Sequence, residues 1–269
     1  MPEGHTVHRT ANAFNQVFAG GELRVDSPQG RFTDGASQVS GQALAEASAV
    51  GKQLFLEFDS GLFIRIHLGI YGKWTWRENP VETGFLSLAP VGEVRARFFT
   101  DASLAELRGP TVCEVLTVEE VNLVRKRLGP DPLNPDPTGA ECERFVSKAR
   151  SSAKSIGALL MDQSVISGIG NVYRAEILFR AGLDPYAPGK SLSVEQLQAI
   201  WDDAVVLLRV GVKKGIMITR DEFFKKMPNK ATRNFVYKRE LQECRVCGEK
   251  ISIAILEGRK LYWCGGCQR

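Results

Sequence analysis

Residues 129–137 read Gly-Pro-Asp-Pro-Leu-Asn-Pro-Asp-Pro and hold four of the chain's twelve prolines. Each proline fixes φ and lacks an N–H, so the stretch can be neither a helix interior nor a central strand. It marks a boundary, and the hydrophobic pattern changes across it. Upstream, Val7, Ala11, Phe14 and Phe18 recur at helical spacing, which predicts a helix over 5–19. The period then falls towards two. Residues 53–58 and 62–67 alternate around Asp59-Ser60-Gly61, a hairpin signal, and 85–88 and 94–100 read as further strands. A helix is predicted over 118–128. Downstream, helical periods cover 140–151, 156–162, 172–181 and 194–210. Ser193 and Gln196 spell a capping box for the last, and Gly182 suits the position just past the third. Strands first and helices afterwards predict an α+β chain, a β-sandwich or barrel with a leading helix followed by a helical region.

Working outward, the C-terminus carries Cys244-x2-Cys247-x16-Cys264-x2-Cys267. Two such knuckles at this separation suit tetrahedral thiolate coordination of zinc, with two strands predicted around Glu257-Gly258 between them. Two disulfides are the competing reading, and a reducing compartment disfavours them. Four thiolates leave no open position for water, so the ion is expected to be structural. Cys113 and Cys142 lack such spacing and read as core or incidental residues.

Of 269 residues, 43% are hydrophobic and 25% charged, which excludes a disordered or fibrous chain. No apolar run approaches the roughly 18 residues of a membrane span, and Met-Pro-Glu-Gly-His-Thr-Val-His has no apolar signal core. A cytoplasmic protein is expected. The net charge of +4 is unevenly spread. From Arg209 onward there are fifteen Lys and Arg against six Asp and Glu, while 1–208 hold twenty against twenty-five. A basic last quarter interleaved with Phe223, Phe224, Phe235, Tyr237, Tyr262 and Trp263 is what a folded phosphate binder would show.

Three further stretches offer chemistry. Removal of Met1 would leave Pro2 as a free secondary amine, and α-amino groups titrate at roughly 7.7–8.0. Such an amine can attack a sugar aldehyde carbon, with Glu3 beside it as an acid or base. Gly51-Lys52 offers an ammonium for phosphate contact or proton transfer. Ser167-Gly168-Ile169-Gly170-Asn171 opens a helix whose amides would suit a phosphate, or is an ordinary tight turn.

Together these stretches resemble the formamidopyrimidine-DNA glycosylase/endonuclease VIII family of DNA repair enzymes. The likeness runs through Pro2-Glu3-Gly4, Gly51-Lys52, His67-Leu68-Gly69-Ile70-Tyr71-Gly72 and Leu128-Gly129-Pro130-Asp131-Pro132-Leu133. It continues in Gly168–Phe179, similar to that family's helix–two-turn–helix, and in Glu257-Gly258-Arg259 and Cys264–Gln268, similar to its zinc finger. The resemblance implies an N-terminal β-sandwich catalytic domain over 1–128, a proline-rich linker over 129–139, a helical DNA-binding domain over 140–234 and a zinc finger over 235–269. It implies a monomer acting on damaged double-stranded DNA with one structural zinc ion.

By the same resemblance, Pro2 attacks C1′ of the damaged nucleotide and forms a Schiff base while Glu3 handles protons at the sugar. Lys52 serves β-elimination and phosphate contact; Arg259 serves phosphate binding and δ-elimination. Asn171 and Arg127 fall at backbone-contacting positions. Gly69, Ile70 and Tyr71 fall where the family fills the gap left by the extruded nucleotide, an insertion that offsets lost stacking. This triplet is closer to the endonuclease VIII branch, which implies oxidised pyrimidines as substrates. The purine-directed branch is the alternative, as is a DNA-binding protein with idle chemistry. A zinc-ribbon protein of transcription or translation would explain 244–267 and leave Pro2 and the prolines without a role. Two departures stand out: His5-Thr6 replaces a common second glutamate, and Gly69 lacks a side chain where relatives often carry one.

Overall fold

The computed structural model describes residues 2–78 and 89–269, so the strand predicted at 85–88 lies outside the described residues. The chain forms two compact units. One comprises Pro2 with Val7–Lys126, the other Glu3–Thr6 with Arg127–Arg269. Among the described residues no helix is long and apolar enough to cross a membrane.

Among the described residues, the first unit holds helix α1 (Gly4–Phe18) from Val7 onward and eight strands. In chain order they are β1 (Glu22–Asp26), β2 (Gln42–Val50), β3 (Gln53–Phe58), β4 (Phe63–His67), β5 (Lys73–Glu78), β6 (Val94–Phe99), β7 (Ser103–Arg108) and β8 (Val112–Leu116). Their hydrogen-bonded order is β5-β7-β6-β1-β2-β3-β4-β8. Strands from both ends of that order feed one core. Trp74 and Trp76 of β5, Phe98 of β6, Leu54 and Leu56 of β3, Ile64 and Ile66 of β4 and Val115 of β8 share a single apolar cluster. The sheet therefore closes over itself as a β-sandwich. Phe14 of α1 is fully buried there, edge-on to Trp74 at 5.1 Å and to Trp76 at 5.2 Å.

The hairpin read from residues 53–67 is present, with Leu54 opposite Ile66 and Leu56 opposite Ile64. Its turn needs Gly61, whose φ of +80° disfavours a Cβ. A short helix α2 (Thr33–Val39) and helix α3 (Val118–Lys126) complete the unit.

The second unit packs α4 (Ala140–Arg150), α5 (Ile156–Leu159), α6 (Asn171–Arg180) and α7 (Val194–Lys214) around Phe145, Leu160, Tyr173, Leu178, Ile200 and Trp201. The capping box forms: Ser193 Oγ accepts from the Gln196 amide and Gln196 Oε1 from the Ser193 amide. Gly182 takes a φ of +66° just past α6, where the Leu183 amide bonds back to the Leu178 carbonyl. The proline segment is pinned to this unit. Gly129 donates to the Gln163 carbonyl, Ser167 donates to the Pro130 carbonyl, and Asp136 accepts from the Glu141 and Cys142 amides at the start of α4.

A two-stranded ribbon, β9 (Ser252–Leu256) and β10 (Arg259–Trp263), ends the chain. Leu256 pairs with Arg259 across a two-residue turn in which Glu257 and Gly258 both have positive φ, 50° and 68°. That combination matches the right-handed twist of the strands it joins.

Candidate active-site and nucleic-acid-binding residues

The Glu3 side chain is completely buried. Its Oε2 accepts from the Gly170 amide at 2.8 Å and the Tyr173 amide at 3.4 Å, and its Oε1 accepts from the Val172 amide at 2.9 Å. These are the orphan donors at the start of α6, so a carboxylate from the residue just before α1 supplies the anion that this helix end favours. The glycine-rich turn thus takes a carboxylate of its own chain.

Two glycines make that seat possible. A Cβ at Gly170 would come within 2.5 Å of Glu3 Cδ, and one at Gly4 within 2.8 Å of Gly168 Cα. The Gly4 amide donates to the Gly168 carbonyl at 2.8 Å. Pro2, half-buried, precedes this anchor by one peptide bond. His5, buried, meets Tyr173 edge-on at 5.4 Å. The Tyr173 phenol is held well above its ordinary range, first by burial and then by the Glu3 charge.

Further along the same helix end, Asn171 is buried and directional. Its Nδ2 donates to the Lys260 carbonyl at 2.9 Å, and its Oδ1 accepts from Arg174 one turn on. Arg174 is fully buried and also donates to the Lys260 carbonyl. Burial lowers its guanidinium to about 10, the Glu3 charge opposes that shift, and Arg259 adds to it. Asn171, Arg174 and the β10 backbone beside Arg259 therefore form one connected group. Arg259 itself is half-buried, and Arg127 is exposed.

Sequence reading missed Arg174, although its spacing of three from Asn171 puts both on one helix face. It also missed Glu176, a fully buried carboxylate that accepts from the Phe235, Val236 and Tyr237 amides. Nothing local in the sequence signals a partner sixty residues away.

The four cysteines converge. Their Sγ atoms all lie within 4.8 Å of one another, with Cys244 to Cys267 at 3.8 Å and Cys247 to Cys264 at 3.4 Å. A tetrahedron of sulfurs about 2.3 Å from a zinc ion has edges of roughly 3.8 Å. The donor set and its spacing fit a metal ion.

In the first unit, Gly51-Lys52 is the two-residue turn between β2 and β3, with Val50 opposite Gln53 and a φ of +60° at Gly51. Lys52 is half-buried. Its charge reaches His67 at the end of β4: burial most of all, then Lys52 and Arg65, lower the His67 pKa from its ordinary value. The loop after His67 presents Ile70, 44% exposed, and Tyr71, 85% exposed. Exposed apolar side chains on a tight loop contrast with the core reading that their hydrophobicity alone would favour. Gly69 has a φ of +62°, and a Cβ there would sit 1.8 Å from Thr111 Oγ1. The missing side chain is thus required by the turn.

Two family profiles match the chain. The Formamidopyrimidine-DNA glycosylase N-terminal domain matches residues 1–110, and the Formamidopyrimidine-DNA glycosylase H2TH domain matches 128–222. Endonuclease 8 1 of Mycobacterium tuberculosis is 45% identical over 272 residues, covering 100% of each chain. A formamidopyrimidine-DNA glycosylase of Methylococcus capsulatus is 29% identical over 288 residues, again covering 100% of each. A Lactococcus lactis formamidopyrimidine-DNA glycosylase, solved with DNA containing an abasic site, aligns at a TM-score of 0.81 and 19% identity over 99% of both chains.

Proposed function

The chain belongs to the formamidopyrimidine-DNA glycosylase/endonuclease VIII family of DNA glycosylases and abasic-site lyases, and on that premise we propose that it excises oxidised pyrimidines from duplex DNA and then cleaves the strand. The observation that carries the mechanism is the Glu3 anchor. Three amide hydrogen bonds hold the residue next to Pro2, so the nitrogen that must approach C1′ sits beside a fixed point.

In this reading the Pro2 nitrogen bonds to C1′ as the glycosidic bond breaks, and the base leaves with its electron pair. Cleavage of the C1′–O4′ bond, with a proton delivered to O4′, then leaves an iminium, which acidifies C2′. Loss of that proton expels the 3′ phosphate, and a second elimination expels the 5′ phosphate. Glu3 accepts and returns protons at the sugar. Lys52 serves the first elimination, and Arg259 the second.

Asn171, Arg127 and Arg259 contact the phosphate backbone, while Ile70 and Tyr71 fill the gap in the stack with Gly69 giving the loop its turn. Cys244, Cys247, Cys264 and Cys267 would hold one structural zinc ion, whose binding supplies folding free energy to the C-terminal ribbon. The protein acts as a monomer in the bacterial cytoplasm. Identity favours pyrimidine lesions, being 45% to the named endonuclease 8 against 29% to the named formamidopyrimidine-DNA glycosylase. The second of these keeps oxidised purines as the alternative substrate.

Borohydride trapping on a duplex with an abasic site tests the chemistry. The processed protein should give a covalent adduct, and a form that retains Met1 should give none, because acylation removes the nucleophilic lone pair. Absence of an adduct with the processed protein would sink the lyase reading. A panel of oxidised pyrimidines, formamidopyrimidine and 8-oxoguanine in duplex DNA decides the substrate class.

A further inference from the structure

The loop after β4 is held by two backbone hydrogen bonds, one strand pairing and one side chain. The Gly72 amide donates to the Leu68 carbonyl at 2.9 Å, and the Thr111 amide donates to the His67 carbonyl at 2.8 Å. The Gln53–His67 pairing of β3 and β4 fixes the strand end. The side chain is His67: its Nδ1 accepts from the Gly69 amide at 3.1 Å. We propose that His67 is a positioning residue for the gap-filling loop, whose neutral imidazole seats the Gly69 amide and so presents Ile70 and Tyr71, and whose protonation releases them. The proposal rests on the reading of Ile70 and Tyr71 as the residues that occupy the gap.

The chemistry is one of donor and acceptor count. A neutral imidazole has one nitrogen with a lone pair; a protonated one has two donors and no acceptor. Protonation at Nδ1 would set an N–H against the Gly69 N–H. The glycine has little freedom to adapt, because its backbone already lies at a φ of +62° against Thr111.

The surroundings favour the neutral form. Lys52 reaches His67 from the β2–β3 turn and Arg65 from its own strand. Arg65 is bonded to Glu114 of β8 and to Gln53 of β3, and Arg125 of α3 lies over Phe55 on the same sheet face. Lys52 and Arg65 are the cations whose charge acts on His67, and Arg65 is itself paired with Glu114. Burial acts in the same direction, so the latch is closed at neutral pH and opens only below the ordinary histidine range.

Two measurements test this on the full chain. In DNA-free protein, the protection factor of the Gly69 amide is followed from about pH 8 to about pH 5. Native protein should lose roughly tenfold protection as His67 charges, the equivalent of one hydrogen bond. His67→Asn keeps an oxygen that can accept the same amide and does not titrate, so its protection should hold throughout. His67→Ala should be unprotected at every pH. On duplex DNA with 2-aminopurine beside an abasic site, native protein should extrude the base at neutral pH and lose that signal in acid. The Asn variant should keep it at both.

An Asn variant that retains the acid loss overturns the proposal. So does an Asn variant that fails as the Ala variant does, or an Ala variant that matches native protein. Native protein that extrudes no base at any pH instead overturns the glycosylase reading, and the DNA-free measurement then still decides the latch.

Discussion

Glu3 and Gly170 are matched in shape: the carboxylate occupies the volume that any side chain at 170 would need, 2.5 Å from Glu3 Cδ. The match makes Gly170→Ala an informative change. Overpacking of this kind costs about 1–3 kcal/mol, and displacement of a reacting group by an ångström costs on the order of 10²-fold in rate. Gly170→Ala should therefore lower the melting temperature modestly and slow borohydride-trappable adduct formation far more. Equal small effects on both would show that Glu3's seat does not govern the Pro2 nitrogen.

Glu3→Gln separates charge from shape. The amide fills the same space but replaces one acceptor by a donor facing helix N–H groups. Hydrogen bonds to a charged group are worth about 1.5–3 kcal/mol, so thermal or chemical denaturation should register a loss of that order. Turnover should drop about 10²- to 10⁴-fold, the usual contribution of a proton-transfer residue. A variant with native turnover would remove Glu3 from the chemistry and leave it as a helix cap.

Arg259 and Asn171 predict different salt behaviour although they lie near one β10 backbone. Removing a phosphate-bound arginine should lower the slope of log affinity against log salt by about one, since one fewer counterion is displaced. Arg259→Ala should show that change. Asn171→Ala should weaken binding with the slope kept, because a carboxamide displaces no ion. Identical slopes for native protein and Arg259→Ala would contradict the phosphate role.

Chelation should unfold the C-terminal ribbon first. Its apolar cluster is small, with Val236, Ile251 and Tyr262 as the main buried members beside Cys244 and Cys264. We expect one zinc ion per chain by elemental analysis, loss of ribbon amide protection on metal removal, and loss of DNA affinity in step. A ribbon that stays protected without metal would make the ion dispensable.

Stability should also carry the signature of His67. Its folded pKa lies below the unfolded value near 6.5, so the unfolded chain binds more protons in that window. The contribution is fully present above the unfolded pKa and is lost as pH falls through the folded one. Denaturation midpoints should thus decline on acidification below about 6.5, and His67→Asn should flatten the decline.

Much of this was legible in the sequence, for identifiable reasons. The 53–67 hairpin, the Ser193–Gln196 box and the cysteine knuckles are short-range patterns whose partners lie from three to 23 residues apart. Strand β2 was not legible: Gln-Ala-Leu-Ala-Glu-Ala-Ser-Ala-Val is rich in helix formers, and only pairing with β1 and β3 makes it a strand. The stretches at Pro2-Glu3 and Gly168–Asn171 could each be picked out. Their union could not, because the hydrogen bonds that join them span 167 to 170 residues. The latch at His67 is local, two residues apart, yet one histidine acceptor leaves no periodicity to detect.

The Glu257-Gly258 turn has one more consequence. A two-residue connection fixes the pairing of Arg259 with Leu256, and side chains along a strand alternate between faces. Arg259 therefore shares its face with Leu261 and Trp263, while Ile253, Ile255 and Lys260 lie on the other. Frame-shifting the ribbon by a single residue would turn the guanidinium to the isoleucine side without altering any residue's identity. The hairpin tip works as an indexing device: its length, as much as its charge, determines which way the arginine faces.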